Sequence, residues 1–411
     1  MDWKISGGRL WDGQNSLTTA QTVDLYVASG EIVAIGADPG GLSWTEITLP
    51  PGSVVMPGLI DAHVHLDLDP TLMAPDAQFV PAREDRDLRM VARAAEMVRA
   101  GITTARDLGG GEWRELALRD AIASGDVPGP RLLCAGQPVT VPEGHCHFWG
   151  GVAEDAAAQA RVIERQIEHG VDWVKVMATG GVFTKGSSVD RAQFDRDEMT
   201  TMVQQASTHG RSVAAHCHGV QGIRFAAQAG VRTVEHCSFA GPAGFGSAFD
   251  PAAVRELVEN GTWVSPTVNE GWLRRIEKDG HETDFHLRMR VVLGALREAG
   301  VPLIASTDAG IPGVRHHRLA YALPALAHYA DWSPLEVLQS ATRDAARALE
   351  IDDHVGVLKP GAAADLLVVA DDPLKDLATL ERPLWVMAEG RVAAQNFPEH
   401  PDRTDPPGPV A

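Results

Sequence analysis

The chain has 411 residues, 44 % of them hydrophobic, and a formal net charge of −19 from 55 acidic against 36 basic side chains. That length fits one large α/β domain with a smaller companion. The acidic balance argues against nucleic acid or an anionic membrane surface as partner, since both attract basic patches, and no apolar run reaches the ~18 residues of a membrane span.

Met1-Asp2-Trp3-Lys4-Ile5 opens the chain with neither a basic region nor an apolar one, so no signal peptide is expected. The cysteines are Cys134, Cys146, Cys217 and Cys237, without framework spacing, which favours reduced thiols and a cytoplasmic location. Oligomeric state is not readable, and a homo-oligomer stays open.

Residues 1 to 55 read as short strands, with Val23–Val27 and Ile32–Ile35 around a turn at Ser29-Gly30-Glu31. Val54 to His65 then reads as one buried strand. At the far end, Ala364–Val369 and a last hairpin around Glu389-Gly390 resume the β pattern. Both termini together are expected to build a small β-sandwich domain from residues 1–55 and 356–397. The Pro- and Asp-rich stretch 398–411 is expected to be a disordered tail.

Residues 56–355 repeat one signal, in which a helical stretch ends at glycine and a β-rich run follows at once. It occurs at Gly101, Gly170, Gly210, Gly230, Gly261 and Gly300, each suited to the left-handed conformation that ends a helix. Helix, short loop and strand in alternation predict a parallel sheet covered by helices. The His63 strand and Arg131–Cys134 bring the count to eight, the number that closes a (β/α)8 TIM-like barrel. An open doubly wound sheet is the alternative, but no Gly-rich dinucleotide fingerprint supports it. Ser333-Pro334-Leu335-Glu336 is a capping box and is expected to open the helix after the eighth strand.

Active sites of such barrels lie at the C-terminal strand ends. Strand 1 ends in His63 and His65, which share a face. Strand 4 carries Lys175 inside an apolar run, strands 5 and 6 end in His216 and His236, and strand 8 ends in Asp308. Imidazole and carboxylate are common zinc ligands. A buried lysine is costly unless its pKa falls. Its neutral amine can take up carbon dioxide, giving a carbamate able to bridge two metals roughly 3.5–4 Å apart. Singly, each residue has a plainer reading, such as a satisfied core histidine or a helix N-cap at Asp308; together at matching strand ends they point to a metal site.

These residues lie in PGLIDAHVH (57–65), VKVMATGGV (174–182), VAAHCHG (213–219), VEHCSF (234–239) and STDAG (306–310), with LKPGAAADLLVV (358–369) beyond. Through them the chain resembles the amidohydrolase superfamily over nearly its whole length. It looks most like the imidazolonepropionase-like branch, which contains Xaa-Pro and Xaa-Arg/Lys dipeptidases and amide or carbamate hydrolases. The resemblance implies two divalent metal ions, usually Zn2+. His63, His65 and Asp308 would hold one, His216 and His236 the other, and carboxylated Lys175 would bridge them. It further implies hydrolysis of an amide, peptide-like or carbamate C–N bond of a small molecule by metal-bridging hydroxide, with Asp308 as general acid/base. A mononuclear deaminase or a cyclic amide hydrolase of the same superfamily is the alternative.

The same branch commonly has Gly-His after strand 3, which makes His145 a second catalytic candidate, as an electrophile or a carboxylate contact. His147 and His218 would share the face of their neighbours if locally extended. Arg315-His316-His317-Arg318 could bind a substrate carboxylate or lie on the surface. Lys185 and Arg191 would also suit an acidic group, whereas Phe183, Phe239, Phe245 and Trp149 would suit an apolar one. Alternation turns Cys217 and Cys237 away from the histidine face, as small buried hydrophobes.

Overall fold

The structure is a computed structural model and describes residues 1–397; the predicted tail from Pro398 lies outside the described residues. Near the N-terminus, Trp3–Ser6, Leu25–Ala28, Glu31–Ile35 and Thr45–Thr48 pair as a four-stranded sheet. A five-stranded sheet joins Arg9–Leu10 and Val54–Pro57 to Leu366–Val369, Trp385–Ala388 and Arg391–Gln395 from the other end of the chain. On one face of it, Val55, Leu366, Val368 and Trp385 pack with Ile5, Leu25, Val27 and Ile32 of the first sheet. On the other, Val54, Met56, Leu367 and Val369 join the main core. Strand alternation thus buries both faces, which is why Leu366–Val369 is apolar throughout.

Between these ends the fold is α/β. Leu59–Val64, Ile102–Asp107 and Arg131–Cys134 form one parallel sheet, and Trp173–Met177, Ser212–Gly219, Thr233–Ala240 and Trp263–Ser265 form a second. Parallel bridges join Val139 to Val176, Val264 to Leu303 and Val64 to Ala309. Amphipathic helices such as Arg83–Arg99, Ala156–Glu168 and Val220–Ala229 bury one side against the strands. The six glycines marked as helix ends all have positive φ, from 62° to 89°.

Three elements differ from the sequence reading. The run from Val54 to His65 is two strands, not one. At Gly58 the chain changes partners: its N–H still bonds Asp365 of the terminal sheet, and the next N–H bonds Gly101. A Cβ at Gly58 would lie 2.1 Å from the Thr103 hydroxyl oxygen, so only glycine fits there. The eighth run, Leu303 to Asp308, makes isolated bridges rather than a regular strand. The Thr307 N–H and hydroxyl instead bond the Asp61 carboxylate at 3.1 and 2.6 Å. The capping box at Ser333 and Glu336 is present and opens Pro334–Ser340. A helix the sequence reading did not mark, Leu319–Ala330, precedes it. That helix has no side-chain N-cap and contains Pro324, so it lacks the usual start signal.

Candidate metal centre

His63, His65, His145, His216, His218 and His236 line one cavity of about 400 Å³ together with Lys175 and Asp308. Hydrogen bonds decide which ring nitrogens face it. His63 Nδ1 lies 2.8 Å from Glu235 Oε2, and His65 Nδ1 lies 2.9 Å from the Gly109 carbonyl oxygen. A carbonyl only accepts. Burial would raise the Glu235 carboxyl, but the Arg106 guanidinium and His63 outweigh it and hold the group below the usual carboxylate range. Glu235 therefore accepts as well. Both Nδ1 atoms carry the proton, and both Nε2 atoms present lone pairs.

Those Nε2 atoms lie 3.2 Å apart, each 3.4 Å from Asp308 Oδ1. Three electron-rich atoms converge with no proton between them, an arrangement that a cation satisfies. Asp308 is ionised for this role: burial would raise it, but positive charge around it, that of Lys175 included, holds it at about 2.

A second group faces the first. His216 Nε2 donates to the Gly180 carbonyl at 3.0 Å, which leaves Nδ1 as an acceptor. His236 Nδ1 is 2.8 Å from Thr267 Oγ1, and His218 Nδ1 is 2.8 Å from Ser238 Oγ. One ring nitrogen of each of these three histidines lies within 4.8 Å of the others. Burial pushes His216 and His236 well below the ordinary histidine range, so they stay neutral and able to ligate. Lys175 Nζ is buried and, among the described residues, has no hydrogen-bond partner. Burial lowers its ammonium to about 8, with the Glu235 carboxylate opposing. An orphaned amine beside two sets of imidazole lone pairs is a donor set that fits divalent metal.

Behind the candidate ligands lies an ion pair with no exposure to solvent. Arg106 Nη2 donates to Glu235 Oε1 at 2.9 Å, Nη1 to Thr233 Oγ1 at 3.0 Å and Nε to the Ala62 carbonyl at 2.8 Å. The Arg106 guanidinium also lies 4.5 Å from the Trp173 ring centroid.

A family model described as "Amidohydrolase family" matches residues 54–393. The chain belongs to the amidohydrolase family. It is a hydrolase acting on C–N bonds. Curated relatives of this amidohydrolase include an ochratoxinase of Aspergillus niger, 26 % identical over 367 residues (80 % of this chain and 73 % of the relative). Another is an imidazolonepropionase of Chloroflexus aggregans, 25 % identical over 380 residues (82 % and 79 %). A solved structure of a Xaa-Pro dipeptidase with bound methionine matches with a TM-score of 0.82 and 26 % identity, covering 95 % of this chain and 99 % of that one.

All six ligands expected for this amidohydrolase, and His145, reach the cavity. His145 Nδ1 is 3.0 Å from Thr184 Oγ1, which accepts from the Cys146 N–H. When the threonine proton goes to His145 Nδ1, the imidazole proton sits on Nε2. Burial, helped by His218 and Lys175, lowers His145 to about 3, so the ring is neutral.

His218 does share the face of His216, but His147 does not share that of His145. Cys146 has φ 54° and a short 3-10 turn follows at His147–Trp149, so the segment is not extended and His147 is exposed. The Arg315–Arg318 run also lies outside the cavity wall. His316 is buried and donates from Nε2 to the His65 carbonyl at 3.0 Å, while Arg318 pairs with Glu270 at 2.6 Å. Phe239 is fully buried and turned away, whereas Phe183, Phe245 and Trp149 line the wall. Cys217 and Cys237 are buried in the main core.

Sequence reasoning missed Glu235, Arg106 and Asp61 as supports, although each is a charged residue inside a buried strand. It also missed the segment Pro266 to Phe285, which contributes Thr267, Asn269, Trp272 and Arg275 to the wall.

Proposed function

We propose that this chain is a binuclear metal-dependent hydrolase that cleaves an amide, peptide-like or carbamate C–N bond in a small molecule. One observation carries the reading: the orphaned Lys175 Nζ stands beside two sets of histidine lone pairs, one of them closed by Asp308. Relatives named ochratoxinase and Xaa-Pro dipeptidase agree with that class.

His63, His65 and Asp308 would hold one ion, His216 and His236 the other, and Lys175, carboxylated by carbon dioxide, would bridge them. Zn2+ suits the imidazole-rich set. When bound, such a pair supplies an activated water and polarises the carbonyl oxygen. Asp308 Oδ takes the proton released on attack and returns it to the leaving nitrogen. His145 Nε2–H donates to the carbonyl oxygen as charge develops there. Arg106 and Glu235 hold His63 in the tautomer that ligates.

The same proposal covers the architecture. The bridges at Val139, Val264 and Val64 support a closed (β/α)8 barrel over residues 56–355, and the two-sheet cluster supports a β-sandwich over 1–55 and 356–397. Val54–Pro57 pairs in the terminal sheet, so the boundary belongs at Gly58. Among the described residues no helix is long and apolar enough to cross a membrane. A small-molecule substrate, no nucleic-acid partner and a cytoplasmic location complete the reading.

The test is metal content after expression with zinc and bicarbonate, followed by a screen of amides and carbamates. About two ions per chain with C–N cleavage are expected. One ion, with deamination or cyclic amide opening, would replace this reading by the mononuclear or lactam-type alternative, and no metal would remove it.

A further inference from the structure

The wall of the cavity is electrostatically one-sided. In a chain of net charge −19, the wall carries a single carboxylate among the described residues, Asp308, which the metal reading already engages. Of its two basic side chains, Lys175 is taken up by the same reading as a carboxylated bridge, which leaves Arg275. Lys185, Arg191 and Arg315, the other cations that could have met an acidic group, are exposed like Arg275 but do not reach the wall.

Arg275 ends the 3-10 turn Glu270–Arg275, in the segment that leaves the strand Trp263–Ser265. Its guanidinium carbon lies 4.7 Å from the ring centroid of Phe285, another wall residue. Of the arginines nearby, Arg318 pairs with Glu270 at 2.6 Å and Arg288 with Asp284 at 3.7 Å, while Arg274, also without a carboxylate partner among the described residues, is not part of the wall. Among the described residues no carboxylate pairs with Arg275. Stacking on Phe285 restrains the long side chain, which lowers the entropy lost when the guanidinium forks onto two oxygens. Trp272 meets Phe285 edge-on at 4.9 Å, and Phe245 lies 6.3 Å from the same ring, so an aromatic wall stands beside the unpaired charge.

Resting on the hydrolase reading above, we propose that Arg275 selects the substrate. The amide cleaved here carries a free carboxylate, held by the Arg275 guanidinium, and an aromatic-sized apolar group set against Phe245, Trp272 and Phe285. A planar guanidinium and a carboxylate make two parallel N–H···O bonds, a geometry that a neutral carboxamide cannot match.

Two measurements on the full-length, metal-loaded protein separate this proposal from the function it rests on. The first is calorimetric binding of N-benzenesulfonyl-L-phenylalanine and of its carboxamide, neither of which contains a cleavable benzamide. The second is benzoate release from N-benzoyl-L-phenylalanine and from N-benzoyl-L-phenylalaninamide. Wild type is expected to favour the acid over the carboxamide by about tenfold to a hundredfold in both. Arg275→Gln should collapse that ratio towards one, and Arg275→Lys should keep part of it. Failure to bind either sulfonamide, an acid-to-carboxamide ratio near one in wild type, or an unchanged ratio in Arg275→Gln overturns the assignment. Discriminating binding without benzoate release upholds the role of Arg275 and counts against amide hydrolysis.

Discussion

Glu235 holds His63 by one hydrogen bond of 2.8 Å, from His63 Nδ1 to Glu235 Oε2, and so fixes the lone pair on His63 Nε2 towards His65 and Asp308. Both partners are buried, and the other oxygen of Glu235 is engaged by Arg106 and Thr233. The carboxylate has no freedom to turn away. Its loss should be felt first in metal affinity. Glu235→Gln is predicted to weaken zinc binding about 10–100-fold. Competition with a chelator checks this, and an affinity equal to wild type would remove Glu235 from the support of the site.

The same carboxylate sets an acid-stability signature. Its folded pKa lies below the ordinary value of about 4.3. A depressed acid contributes stability that is complete above its unfolded pKa and is lost as pH falls through the folded one. Glu235→Gln leaves the Arg106 charge buried without its partner, at a cost of about 3–5 kcal/mol near neutral pH. That deficit should shrink as pH falls below ~4, because the unfolded wild type takes up a proton there that its folded, ion-paired carboxylate still excludes. Urea midpoints of both chelated proteins between pH 7 and pH 3 measure the gap, and a gap constant over that range contradicts the account.

Lys175 should be necessary for metal loading. Its unpartnered Nζ and an ammonium lowered to about 8 leave a neutral amine at mildly alkaline pH, the form that reacts with carbon dioxide. Lys175→Ala is predicted to lose most bound metal, with partial recovery on adding short carboxylates such as acetate or propionate. Full metal content in that variant, without additives, would rule out a lysine bridge.

Asp308 and His145 should both act on turnover. Asp308→Asn removes the proton acceptor and is predicted to lower kcat by about 10²–10⁴. His145→Ala removes one donor to the carbonyl oxygen and is predicted to lower kcat about 10²–10³-fold with KM little changed. A change confined to KM would make His145 a binding group only. Steady-state kinetics beside metal analysis separates these effects from loss of zinc.

The polar residues of the cavity were legible because each of the six candidate ligands ends or interrupts an apolar strand, where a polar residue stands out. The helix ends were legible because glycine marks them. The support was harder to read. Glu235 and Arg106 meet across 129 positions of sequence, and no spacing rule joins them. Arg275 lies in an irregular segment with no period to place it. Leu319–Ala330 went unmarked because it is apolar nearly all round, with neither cap nor charge to announce it. The division of the first long strand at Gly58 depends on Thr103 and Asp365, which sit on other elements.

His236 and Asp308 have φ of 66° and 60°, and Thr267 beneath His236 has 53°. A side chain in the left-handed region costs roughly 1–2 kcal/mol. Glycine at any of these positions would relax the backbone and remove the group that the chemistry needs. Selection of this chain for heat resistance alone would therefore be drawn to its own active site, and would return proteins that melt later and do nothing. A thermostability library built on it should hold these codons fixed.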